Sequence, residues 1–199
     1  MWEIFGLITG GLIAWGWYAA ANAPNENVGY VDKEKQSMLQ ARELNTDDQL
    51  SVFAKIARGG NASALASHSW LCLKQGRHTE AIALYEETRT NLTTTSSGSL
   101  AWSMANCDNN QALNLLATGV PIEKVKKLWD RNISMNHDEC TFYSTMAKVR
   151  MGSRTKAEVA QLPRSVRADI LETLTSGTTS AGWYKKWCKE VLAEFGDVL

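Results

Sequence analysis

From Asn61 to Thr88 the apolar positions fall at helical spacing on both sides of a single glycine. Ala64, Leu65, His68, Leu71 and Cys72 recur at three- and four-residue steps behind Asn61, a good N-cap, and Gly76 supplies the left-handed turn that stops the run. A second helix follows at once. Its inner face is Ala81, Ile82 and Tyr85 and its outer face Glu80, Glu86 and Glu87, and Ala81 is small enough to let the two helices approach closely. Two looser copies follow. In Asn109 to Trp129, Ala112, Leu113, Leu115 and Leu116 lead to Gly119, and Pro121 then starts Ile122, Val125, Leu128 and Trp129. In His137 to Leu162, Cys140, Tyr143, Met146 and Ala147 lead to Gly152, and Thr155 with Glu158 restarts the helix as a capping box.

The flanks are helical too. Thr46 with Gln49 reads as a capping box opening a helix through Leu50, Phe53, Ala54 and Ala57 to Gly59 and Gly60, which would cap the stack at its start. The polar run from Thr90 to Ser99 reads as a flexible loop or solvated slack. Leu100 to Cys107 is expected as a short helix that ends before Asp108 restarts the chain. Val166, Ile170, Leu171 and Leu174 form one apolar face. Ser180 is expected to cap a last helix with Tyr184, Trp187, Cys188, Val191, Leu192 and Phe195 on one side and Lys185, Lys186 and Lys189 on the other, a lid for the far end of the stack.

The first unit resembles the tetratricopeptide and Sel1-like family of helical repeats. Ser69, Gly76, His78, Ala81 and Tyr85 fall at the family's small, glycine, aromatic, alanine and aromatic positions. The pattern departs at Leu65 in the tryptophan slot, at an extra residue after Gly119 and at Gln161 in an aromatic slot. The resemblance implies antiparallel helix pairs and a role in protein binding or scaffolding rather than catalysis. Candidate contact residues are Trp70, His78, Tyr85 and Trp129, with Trp183 and Trp187 as a docking patch on the last helix.

The N-terminal stretch changes the picture. After Glu3 it carries no charge until Glu26, and residues 4 to 21 as a helix would span about 27 Å, near the ~30 Å hydrocarbon thickness of a bilayer. The chain therefore reads as all-α, with one transmembrane helix over residues 1–21, a linker over 22–32 and a helical-repeat domain over 33–199. Trp2 at one end and Trp15, Trp17 and Tyr18 at the other would sit in the interfacial belts, and Gly6, Gly10 and Ala14 would form a stripe for packing against a neighbouring membrane helix. A cleaved secretory signal is the rival reading, although no Lys or Arg precedes Lys33. A helix buried in soluble protein is the other.

Composition narrows the function further. Lys plus Arg and Asp plus Glu both number 21, which leaves no basic footprint for nucleic acid. Cys72, Cys107, Cys140 and Cys188 contain no Cys-x-x-Cys pair and fall at apolar helical positions, as buried thiols on a reducing side of a membrane would. His68 with Cys72 and His137 with Cys140 are each about one turn apart, and a zinc site between the two units is the sharper alternative. No nucleophile elbow, phosphate loop or His-Glu metalloprotease motif occurs. The expectation is a non-enzymatic, membrane-anchored scaffold or accessory subunit of a membrane complex, without catalytic residues, cofactor or metal, held in a bilayer through residues 2–21. A mitochondrial or bacterial inner membrane fits it better than the secretory pathway; a secreted or periplasmic binding module and a Cys/His metal protein or enzyme are the alternatives.

Overall fold

The computed structural model describes residues 36–41, 43–96 and 99–199. The expected anchor and linker lie outside them, and with them Trp2, Gly6, Gly10, Ala14, Trp15, Trp17 and Tyr18. Among the described residues no helix is long and apolar enough to cross a membrane. The fold is all-α. After a helical stretch over 36–41 come α1 (Thr46–Arg58), α2 (Ala62–Gln75), α3 (His78–Thr88), α4 (Leu100–Ala117), α5 (Ile122–Asp130), α6 (Asp138–Arg150), α7 (Lys156–Ala160), α8 (Arg164–Gly177) and α9 (Gly182–Phe195).

The hairpin of α2 and α3 forms as its sequence dictates. The Asn61 side chain accepts from the Ala64 amide at 3.0 Å, and Gly76 turns the chain at φ 73°, a left-handed value where a side chain would be strained. α1 starts one residue earlier than the Thr46 box implies: Asn45 is the N-cap, accepting from Asp48, while Gln49 donates to the Leu44 carbonyl. At the other end Ala181, not Ser180, precedes α9. Leu171 is exposed rather than part of the apolar face of α8.

α4 departs most from expectation. It runs unbroken through Asp108 instead of stopping at Cys107. Asp108 looked like a restart because a mid-helix aspartate normally faces water, whereas here it is fully buried and saturated with donors. Its carboxylate accepts from Tyr85 Oη at 2.6 Å, from Arg89 Nε at 2.8 Å and from Asn132 Nδ2 at 3.0 Å. α3, the turn after it, α4 and the turn after α5 are thereby tied to one charge.

The same helix is zipped to α2. Cys107 Sγ, Asn110 Nδ2 and Asn114 Nδ2 donate in turn to the carbonyls of Ala62, Ala66 and Ser69 at 3.2, 3.0 and 3.1 Å. Both sets of positions ascend together, so α2 and α4 run parallel, with small residues of α2 at the contact. α3 lies between them in the chain and packs on both. This is the arrangement of two successive helix pairs. The polar run after α3 is not slack over its described part: Thr93 and Thr94 amides donate to Gly60 O, and Ala62 N donates to Thr94 O at 2.9 Å.

The third unit loses its regularity. Its turn at Gly152 and its Thr155–Glu158 capping box form as expected, but α7 has only five residues. α8 and α9 take over the packing. α9 does not close only the far end: it lies on α8 and also on α2, with Tyr184 edge-on to Trp70 at 5.1 Å, Trp187 at 5.2 Å from Tyr143 of α6, and Phe195 against Phe142. The last helix thus covers a face built by the first and third units. Gly177 permits its approach, since a methyl there would overlap Cys188 Sγ and come within 2.9 Å of Tyr184 Cε1.

Two substitutions test this packing through urea unfolding. Asp108→Asn removes the charge opposite Arg89 and is expected to lower stability by about 3 kcal/mol. Gly177→Ala forces α8 and α9 apart and is expected to cost about 1–3 kcal/mol.

Candidate functional site

The six soluble contact candidates divide into two sets. Tyr85, Trp129 and Trp187 are core: Tyr85 is held by Asp108, Trp129 donates from Nε1 to Asn109 Oδ1 at 3.0 Å with no exposure, and Trp187 is 4% exposed. All three pack in the core, and the Tyr85 hydroxyl and Trp129 indole already have buried partners, which leaves little of these side chains for a ligand to reach. Trp70, His78 and Trp183 remain partly exposed: Trp183 meets His78, and Trp70 meets Tyr184, the residue after Trp183.

They come from the end of α2, the first position of α3 and the first turn of α9. Trp183 stands edge-on to His78 at 6.2 Å between ring centroids and stacks on Trp187 at 5.7 Å. Trp70 leans on Tyr184, and Lys74 Nζ sits 5.5 Å from the centre of its ring. His78 is anchored by a 3.0 Å hydrogen bond between Nδ1 and Asn114 Oδ1. The result is an aromatic ridge with a cationic edge. Its rings are braced from beneath, so little side-chain entropy remains to be lost on contact. Lys74 was not singled out by its position in the sequence; only the i, i+4 step from Trp70 hints at it.

The Cys and His pairs do not meet in the way zinc between the two units would need. His137 is the N-cap of α6, its Nδ1 accepting from the Cys140 amide at 3.3 Å, and Cys140 Sγ faces the Ala105 carbonyl. His68 and Cys72 have a different third neighbour, Glu80 of α3. Sequence reading assigned Glu80 to the outer face and missed it. The signal was the hairpin register, which folds the first turn of α3 back beside the last turns of α2.

The thiols are poor nucleophiles. Burial pushes Cys72 up to about 12 and Cys188 to about 11, and raises Cys107 and Cys140 as well. Asn61, Asn91 and Asn132 each begin an Asn-x-Ser/Thr triplet; Asn61 and Asn132 are buried and hydrogen-bonded, whereas Asn91 is exposed.

Beneath α6 two titratable neighbours oppose one another. Burial lowers His137 to about 4, whereas burial and then Asp138 raise Glu139 to about 7. Neutral His137 supports the fold above pH 6.5, a contribution lost as pH falls through 4. Protonated Glu139 supports it below pH 4.5, a contribution lost as pH rises through 7. Asn109 Nδ2 donates to the Glu139 carboxyl, a bond that glutamine keeps. Glu139→Gln is therefore expected to stabilise the protein at pH 8 by about 1–3 kcal/mol and to leave stability at pH 4 unchanged, as measured by urea unfolding at the two pH values.

No family model, no curated protein and no solved structure matches this chain.

Proposed function

We propose that the protein is a membrane-tethered, repeat-like helical adaptor that binds other subunits of a membrane complex and acts by position rather than by catalysis. The observation that carries the reading is the ridge of Trp70, His78 and Trp183, in which residues far apart in sequence gather as partly exposed, braced rings beside Lys74. Aromatic rings that lose little freedom on contact are the side chains from which interface hot spots are built.

The uncharged run over residues 4 to 21 supports a tether, and a tether raises the effective concentration of the ridge near a membrane-embedded partner. The likeness of the first hairpin to tetratricopeptide and Sel1-like repeats is part of the same proposal, supported by Gly76, Ala81 and Tyr85 and by the parallel run of α2 and α4. The four buried, protonated thiols fit a domain on the reducing side of a mitochondrial or bacterial inner membrane.

The test is an alkaline carbonate wash followed by gentle detergent extraction and native mass measurement of the full-length protein. Wild type is expected to stay with the membrane and to migrate within a larger assembly. Trp183→Ala is expected to stay with the membrane and migrate at least tenfold less in the assembly, while its helical circular dichroism is unchanged. Loss of the wild type in the wash, or migration alone with residues before about Ala21 removed, would overturn the tethered-subunit reading.

A further inference from the structure

The α2–α3 hairpin carries a second constellation, distinct from the ridge and independent of the scaffold reading. His68 and Cys72 lie one turn apart on α2, both buried, and Glu80 reaches them from α3. His68 Nε2 stands 3.4 Å from Glu80 Oε1, and Cys72 Sγ lies 3.7 and 4.0 Å from the two ring nitrogens of His68. One donor atom from each residue lies within 4.8 Å of the other two.

We propose that His68, Cys72 and Glu80 form a three-ligand zinc site with a fourth position open to water. Zinc takes nitrogen and oxygen at about 2.0–2.1 Å and sulfur at about 2.3 Å in a tetrahedron, whose edges are then about 3.3–3.6 Å. The nitrogen–oxygen edge already has that length, and the sulfur, 4.0 Å from Nε2 and within 4.8 Å of the carboxylate, closes the other two edges with about 1 Å of side-chain rotation at Cys72 and Glu80. One imidazole, one thiolate and one carboxylate suit zinc, whereas calcium and magnesium select oxygen alone.

The surroundings are those of a built site. Leu50, Ala81 and Leu71 pack around Cys72 and keep water from the sulfur side. Glu80 is 39% exposed and leaves the entrance at its own carboxylate. Arg77 Nε donates to Glu80 Oε2 at 2.8 Å, which fixes the carboxylate and leaves Oε1 turned to His68. Arg77 also pairs with Asp47, so its charge is shared away from the entering ion. On binding, Cys72 gives its thiol proton to solvent as the zinc–sulfur bond forms, and His68 binds through Nε2 with its remaining proton on Nδ1. The chain bears one charge less, and the ion supplies two positive charges.

Cobalt(II) is the probe, because it reports tetrahedral geometry and thiolate ligation in its absorption spectrum. Full-length protein in detergent, kept reduced and stripped with chelator, is expected to take up one cobalt ion per chain with a thiolate-to-metal charge-transfer band, and one equivalent of zinc is expected to bleach it. Cys72→Ser is expected to abolish that band. Glu80→Gln, at a half-exposed position where folding is least at risk, is expected to weaken cobalt binding at least tenfold while circular dichroism stays that of wild type. Absence of a stoichiometric cobalt spectrum in the wild type, persistence of the charge-transfer band in Cys72→Ser, or unchanged affinity in a folded Glu80→Gln would each overturn the site.

Discussion

A single buried carboxylate organises this molecule. A charge with no exposure is tolerable only when donors surround it, and Asp108 is met by a phenol, a guanidinium and an amide from three other parts of the chain. Satisfying it fixes how α3, the turn after it and the turn after α5 stand around α4. The neighbouring polar side chains extend the arrangement. Asn109 takes the Trp129 indole, and Asn110 and Asn114 reach the backbone of α2. A central helix with polar contacts on several sides specifies one packing where an all-apolar helix would tolerate several.

That packing determines which surface is free. A stack of helix pairs alone would leave the face of its first helices open, but α9 lies across α2 and reaches α6 through Tyr143 and Phe142. The absence of a side chain at Gly177 lets it come so close. The partly exposed rings are thereby left at the edge where α2, α3 and α9 meet. Trp70, His78 and Trp183 stand at that edge with their rings supported by Tyr184, Asn114 and Trp187.

The first hairpin carries two separate groupings of side chains. Its outer residues Trp70, Lys74 and His78 serve the ridge, while His68, Cys72 and Glu80 converge on its other side. Both depend on the left-handed turn at Gly76, which sets the register between α2 and α3. The ion pair of Arg58 with Glu87 lies on the surface and contributes little, whereas the register determines which side chains can meet.

The sequence by itself determined the helices, because caps, glycine stops and apolar spacing act within one or two turns of chain. Asn61, Gly76, Gly152 and the Thr155–Glu158 box could be read directly for that reason. It also placed much of the core: Leu50, Phe53, Ala81, Val125, Tyr143 and Val191 are buried where the spacing put them. Only the tertiary structure decided the rest. Asp108 continues a helix instead of starting one because its partners lie 19 to 24 residues away, and α9 folds back because a glycine in α8 admits it. Glu80 joins His68 and Cys72, and Trp183 joins His78, through contacts between helices that no local pattern encodes. Local chemistry selects the conformation of each segment, but a site built from several segments exists only once buried polar groups and close packing have settled how those segments meet.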